Sequence, residues 1–184
     1  MTFGDYVKKG WEIIKLNASV MSDVSKDESA FAMAIAFIAL AGVATAIGTI
    51  NIFGIIINPI FTVILSFIGY GILHIIALLF GGKGTFKQLY SVLGIAALIQ
   101  WVTVVPIAGP IVGFVAALWT IVITVVALKV VHTLSTVKAV IVVLIPIIIG
   151  IVLMVVLAAF FATMLAAAGG SAFGSLAGLT GALG

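Results

Sequence analysis

An uncharged run from Ser29 to Gly82 decides the fold: SAFAMAIAFIALAGVATAIGTINIFGIIINPIFTVILSFIGYGILHIIALLFGG. Residues 88–128 and 139–184 are also uncharged, so every charge falls in one of three patches. The patches are residues 5–28, the pair Lys83 and Lys87, and the pair Lys129 and Lys138. A water-soluble fold needs much more polar surface than this pattern provides. The chain is therefore expected to be an integral membrane protein.

Composition narrows the class further. The 184 residues are 65% hydrophobic and 7% charged, with a net charge of +3 and no cysteine. The apolar runs are continuous rather than alternating, which excludes a membrane β-barrel. The missing cysteines exclude thiolate metal sites and cysteine nucleophiles, and so small a net charge does not predict nucleic-acid binding. A spanning helix takes about 20 apolar residues, so the chain after Glu28 has room for five or six.

Five spans fit the breaks in the sequence best. We predict an all-α membrane fold, a five-transmembrane-helix bundle preceded by a short amphipathic interfacial helix. Asn58 and Pro59 are expected to start the second span as an N-cap and first helical residue. A flexible tail is favoured over a packed helix at the C-terminal end. The predicted segments are a cytosolic N-terminal segment (1–28), spans at about 29–50, 59–80, 87–105, 111–131 and 137–168, and a Gly-rich tail (169–184).

The charge map also predicts orientation. With five spans, the N-terminal segment and both lysine-bearing loops lie on one side, and the turns near residues 51–58 and 106–110 lie on the other. All eight basic residues are lysines on the first side. The positive-inside rule makes that side the cytoplasm. We expect a cytoplasmic N-terminus and an external C-terminus, in the cell membrane of a prokaryote.

The N-terminal segment is amphipathic. On a helix, the apolar residues Phe3, Val7, Trp11 and Ile14 share one face, opposite the charged residues. This pattern is typical of a helix that lies in the headgroup plane, with the four residues as its anchor. An alternative is a short helix that packs on the protein's own spans, and the two interpretations are compatible.

Polar residues recur every four positions in the second span. One interpretation is a polar path for a solute, which would make the protein a small transporter or channel. The other, which we favour, is hydrogen bonding between packed helices. A path would need polar partners on a facing helix, and the first span offers Thr45 and Thr49. The residues of this polar ridge are Asn58, Thr62, Ser66, Tyr70 and His74.

The lysine-bearing loops form a predicted basic surface that binds a protein partner or lipid. Anionic lipid headgroups are its simplest ligand. No metal site is predicted, because the two histidines lack nearby acids or cysteines. All acids precede the first span, so no catalytic residues and no cofactor are predicted. The candidate binding residues are Lys83, Lys87, Lys129, His132 and Lys138.

The order of features from Gly81 onward is distinctive. GGKGTFKQLYSVLGIAAL is followed by a PxxGP turn (PIAGP, residues 106–110), a span containing Trp119, and LKVVHTLSTVKA before a proline-interrupted span. This order resembles the Yip family, membrane proteins named for interacting with Ypt/Rab GTPases. The likeness covers about residues 35–155. It implies five transmembrane helices and a cytosolic N-terminus.

The resemblance also suggests a function. Eukaryotic Yip members carry a long cytosolic N-terminal region linked to GTPase engagement, whereas about 28 residues stand there in this chain. The chain is more similar to short bacterial and archaeal members. We therefore expect a non-enzymatic membrane organiser or adaptor, with membrane lipids and either a cytosolic protein or a second copy of the chain as partners.

Overall fold

The computed structural model describes residues 1–106 and 108–181, with side chains through residue 166 except those of Ala108 and Pro110. The described residues form helices and connecting turns, with no strand. Five helices are long and apolar enough to cross a membrane. The predicted all-α membrane fold is therefore confirmed. The helices are α1 (Phe3–Ile14), α2 (Ala18–Lys26), α3 (Ala30–Gly48), α4 (Gly54–Leu79), α5 (Phe86–Ala96, continued by a 3₁₀ segment, Ala97–Val104), α6 (Ala108–Val131) and α7 (Thr136–Gly181).

The chain divides into two units, residues 1–144 and 145–184. In the first unit, α5 is the central helix. Every residue from Leu89 to Ala96 is buried, and α1, α2, α3, α4 and α6 all contact α5. The third span is also the least apolar of the five. A helix surrounded by protein can carry polar and small residues, whereas one that faces lipid must be apolar.

The second span has the opposite environment. Only Gly54 and Ala77 of α4 are buried, and its large apolar side chains are exposed along the whole helix. Such a surface is what lipid contact requires.

Small residues set the distance between the first three spans. A Cβ atom added to Gly94 of α5 would lie 2.4 Å from the Cβ of Ala34 on α3. One added to Gly42 of α3 would lie 2.7 Å from the Cα of Pro59 on α4. The backbones approach this closely because no side chain intervenes, as is usual between helices in lipid.

The start of the second span differs from the prediction. Helix α4 begins at Gly54, so Pro59 lies inside it rather than at its first position. The side chain of Asn51 accepts a hydrogen bond of 2.9 Å from the Gly54 backbone N–H, which caps this earlier start. Asn58 was therefore wrongly predicted as the cap.

Helix α2 was not predicted. Asn17 caps it by accepting from the Val20 backbone N–H, and Met21 and Val24 are buried on its inner face. Its nine residues are too polar to be recognised in the sequence as a membrane span. An asparagine directly before the helical stretch was the available signal.

The second unit is the continuation of α7 from Ile145. Large apolar side chains are exposed along it from Ile148 to Leu165. The helix runs on through the Gly-rich segment to Gly181. The choice of a flexible tail over a packed helix stays a prediction, because the side chains of residues 167–181 and all of residues 182–184 lie outside the described part of the chain.

Candidate functional site

The three charged patches meet at one end of the first unit. Lys87 at the start of α5 forms an ion pair with Glu28, which precedes α3. The backbone N–H of Lys83 donates a 3.2 Å hydrogen bond to the carbonyl of His132. These contacts join the N-terminal segment, the loop after the second span and the loop after the fourth. We call this surface the charged end.

Four of the five predicted binding residues are exposed there: Lys83, Lys87, Lys129 and Lys138. The four ammonium groups differ in whether another group of the protein already binds them. Lys87 is paired with Glu28, and the Lys138 ammonium donates a 3.0 Å hydrogen bond to the Phe80 carbonyl at the end of α4. Within the described part of the chain, Lys83 and Lys129 have no side-chain partner. These two therefore offer free charge to a ligand.

His132 does not belong to this exposed surface, contrary to the sequence-based grouping. Its side chain is fully buried, because residues after α6 turn inward against the second span. The Nδ1 of His74 lies 3.3 Å from the Nε2 of His132. The half-buried His74 and the buried His132 therefore form a pair between the second span and the loop that follows the fourth.

The environment of His132 disfavours a charged imidazole. Burial, aided by the neighbouring His74, lowers the pKa of His132 to about 4. Its Nδ1 has no hydrogen-bond partner among the described residues. A Cβ atom at Gly82 would lie 2.8 Å from this nitrogen, so the glycine loop closes tightly over the ring. The sequence placed both histidines toward the same side but gave no sign that they touch.

The polar ridge of the second span is used mostly in contacts with protein. The Ser66 hydroxyl lies 2.8 Å from the Tyr90 hydroxyl of the central helix. The Tyr70 ring packs edge-on against Tyr90, with ring centroids 5.5 Å apart, and His74 meets His132. Toward the other end of α4, the Thr62 hydroxyl donates to the Asn58 carbonyl.

The first span's threonines face a different neighbour. The Thr45 hydroxyl lies 3.2 Å from the Thr103 hydroxyl in the 3₁₀ segment. The Thr49 hydroxyl donates back to the Thr45 carbonyl of its own helix. The polar groups of the first two spans therefore lie in separate interfaces and do not line a common path in the described structure.

Helix α1 packs on the protein through the residues that flank its predicted anchor. Tyr6, Gly10 and Ile13 are buried. Phe3 and Trp11 of the anchor are 46% and 60% exposed, and Val7 and Ile14 are partly exposed. One edge of α1 thus holds the helix to the bundle, and Phe3 of the anchor also packs against Phe37, with ring centroids 5.2 Å apart. Trp11 stays largely exposed, so the two sequence-based interpretations are compatible in this geometry.

Three contacts hold α1 in place. Tyr6 donates a 2.7 Å hydrogen bond to Asp27, and a Cβ atom at Gly10 would lie 3.0 Å from Leu98. Trp119 of α6 donates a 2.9 Å hydrogen bond to the Ile14 carbonyl at the end of α1. Helix α1 therefore contacts both the residue just before the first span and the middle of the third and fourth spans.

No group of three or more His, Cys, Asp or Glu side chains that could hold a metal is found in the described ranges. The acids that form contacts bind other side chains of the protein. Asp27 accepts from Tyr6, and this hydrogen bond is the main reason that its pKa is lowered.

Fold and charge distribution together define a multi-pass integral membrane protein with one charged end. Residues 11–157 match the Yip1 domain. Because this match covers most of the chain, the protein belongs to the Yip1 family. No curated protein and no solved structure matches the chain.

Proposed function

We propose that this Yip1-family protein is a non-enzymatic membrane organiser whose charged end faces the cytoplasm of a prokaryotic cell. The observation that carries the proposal is the meeting of all three charged patches at one end of the bundle. Lysine-bearing loops are retained on the cytoplasmic side during insertion. The N-terminus is then cytoplasmic and the C-terminus external.

The proposed recruiting surface centres on Lys83 and Lys129. Both are exposed, and neither side chain has a partner within the described residues. An anionic lipid headgroup or an acidic surface of a cytosolic protein would complement them, at about 1 kcal/mol per lysine near a membrane surface. Lys138 contributes less, because its ammonium already binds the Phe80 carbonyl.

The same surface argues for a binding role rather than catalysis. Among the described contacts, the acid bound by a lysine of these two loops is Glu28, which is paired with Lys87. A hydrolytic or transfer reaction would need an acid, base or nucleophile near a ligand site. The free charges of the two lysine-bearing loops are Lys83 and Lys129 within the described residues, and such cations suit recognition of an anion.

The test compares the wild-type protein with Lys83→Gln/Lys129→Gln in vesicles. The assay measures recruitment of cytosolic proteins from the source cell and the enrichment of phosphatidylglycerol around the protein. We expect the double variant to lose most of both. Lys15→Gln is the control, since it removes a lysine that pairs with Glu12. Equal loss in the control would contradict the proposal.

One observation favours a second function, transport. His74 is an ionisable side chain within a span, and such groups often mark solute or proton pathways. Purified protein in liposomes would then show a flux that His74→Leu abolishes. We expect no flux above that of empty vesicles, because the His74 ring is occupied by His132.

A further inference from the structure

An open groove runs between α1 and the 3₁₀ segment of the third span. Its volume is about 870 Å³, within the roughly 300–1,000 Å³ of pockets that hold small ligands. Val7 and Trp11 of α1 form one wall, and Leu98, Trp101 and Val102 form the other. The groove is thus almost wholly apolar inside.

Three charged side chains lie at this groove, and only one is free. Lys9 lies 3.8 Å from Asp27, and Glu12 pairs with Lys15. Lys8 is exposed and has neither ion pair nor side-chain hydrogen bond in the described part of the chain. The groove therefore combines an apolar interior with a single available positive charge at its rim.

The position of the groove decides what can fill it. Leu98 comes twelve residues after Phe86, the first residue of α5. Trp119, which binds the end of α1, comes twelve residues before Val131, the last residue of α6. At 1.5 Å per residue, both lie about 18 Å along their helices from the charged end. The lysine rim of the groove lies nearer that end, because Lys9 contacts Asp27, just before the first span. The apolar part of the groove therefore extends from the charged end toward the hydrocarbon core, which is about 30 Å thick in a bilayer.

We propose that this groove binds one anionic phospholipid, with an acyl chain between α1 and the 3₁₀ segment and the phosphate at Lys8. The phosphate then lies on the side of the groove nearer the charged end, and the acyl chain extends toward Leu98 and Trp101. This site uses other residues than the recruiting surface at Lys83 and Lys129 and does not depend on recruitment there.

The test uses lipid quenching of tryptophan fluorescence. Trp11 and Trp101 both line the groove, so a bromine-labelled acyl chain in the groove quenches them. The full chain is reconstituted in phosphatidylcholine vesicles that contain dibromostearoyl phosphatidylglycerol or, separately, dibromostearoyl phosphatidylcholine at the same mole fraction. We expect the brominated anionic lipid to quench at about five-fold lower mole fraction, the ratio that corresponds to about 1 kcal/mol for one lysine.

Variants assign the effect to the groove. Lys8→Gln removes the five-fold preference, whereas Lys8→Arg keeps it. Lys15→Gln, at the residue that directly follows α1 and with the same loss of charge, also keeps it. Lys83→Gln/Lys129→Gln keeps it too, which separates this site from the recruiting surface. If Lys8→Gln fails to fold, the lipid preferences of the wild type, Lys8→Arg and Lys15→Gln still test the proposal.

Three results would overturn the proposal. The first is equal quenching of the wild type by the two brominated lipids. The second is an equal loss of preference in Lys8→Gln and Lys15→Gln, which would indicate a general surface effect. The third is the absence of quenching by either lipid, because the groove would then be filled by a second copy or by another segment of this chain.

Discussion

Tyr6 of the N-terminal helix donates a 2.7 Å hydrogen bond to Asp27, just before the first span. The bond links two helices separated by a turn and closes them into a hairpin against the central helix. Burial, and then the hydrogen bond to Asp27, raise the pKa of Tyr6 to about 12. The same bond lowers the pKa of Asp27. Both shifts favour a protonated tyrosine facing an ionised aspartate.

Removal of this bond is expected to loosen α1. A hydrogen bond to a charged group contributes about 1.5–3 kcal/mol, so Tyr6→Phe should speed amide hydrogen exchange in α1 by roughly ten-fold or more. The measurement is hydrogen exchange of the full chain in lipid nanodiscs. Trp11→Phe is the control, since Trp11 is exposed on the same helix. Unchanged exchange in Tyr6→Phe would show that other contacts hold α1.

The pH dependence of this contact has a definite sign. Since the folded pKa of Tyr6 lies above its ordinary 10.0, its contribution is fully present below pH 10 and is lost as pH rises toward about 12. The Asp27 contribution is present above its ordinary pKa of 3.8 and is lost at lower pH. Protection of α1 in the wild type should fall at both extremes, and Tyr6→Phe should remove the alkaline loss.

Gly94 should tolerate no larger residue. Gly94→Ala places a methyl 2.4 Å from the Cβ of Ala34, and overpacking of this kind lowers the free energy of unfolding by about 1–3 kcal/mol. Thermal unfolding of the purified protein in detergent measures the effect. Gly69→Ala is the matched control, because nothing lies within 4 Å of a Cβ there.

A double variant tests whether the contact with Ala34 causes this loss of stability. Ala34→Gly removes the methyl that Gly94→Ala would meet, so the pair of changes should recover part of the lost midpoint. Recovery is partial because the Cα and carbonyl oxygen of residue 34 still lie 3.0 Å and 3.1 Å from the new methyl. A pair no more stable than Gly94→Ala alone would mean that the strain arises elsewhere.

Acid should destabilise the protein through His132. Its folded pKa is about 4, below the ordinary 6.5, so the unfolded chain binds a proton in this interval that the folded chain excludes. Stability is therefore full above pH 6.5 and falls as pH drops toward 4. Unfolding midpoints measured across this range should decline in the wild type and decline less in His132→Gln. Parallel declines would assign the acid sensitivity to another group.

Orientation can be read from single cysteines, because the chain has none of its own. Thr85→Cys and Thr133→Cys, both at exposed positions of the charged end, should react with an impermeant maleimide only after the membrane is opened. Asn51→Cys and Pro106→Cys are exposed at the opposite end and should react in intact cells. Labelling of Thr85→Cys in intact cells would reverse the proposed orientation.

Gly109 is a poor position for this experiment. It is buried, and a Cβ atom there would lie 2.5 Å from the Thr103 carbonyl oxygen. The sequence placed Gly109 in a tight turn between Pro106 and Pro110, whereas α6 already begins at Ala108. A proline-bounded turn and a helix start look alike in sequence, since proline is compatible with the first helical turn.

The sequence alone determined the membrane class, the five spans and the grouping of the charges. These follow from hydrophobicity and charge, which act on each segment separately and need no knowledge of neighbours. The family was also recognisable from the sequence, because its motifs occur in a characteristic order along the chain. The approximate ends of the spans could be predicted from glycine, proline and lysine.

Tertiary structure decided which polar groups meet and which helix lies at the centre. Nothing in the spacing of His74 and His132 predicts that they touch, because their contact depends on how α4 packs against the loop after α6. Likewise, Tyr6 rather than Phe3 or Trp11 became the buried contact of α1, although all three are aromatic. In lipid, association of spans depends on shape and hydrogen bonding rather than hydrophobicity, so packing partners are settled only when the whole bundle forms.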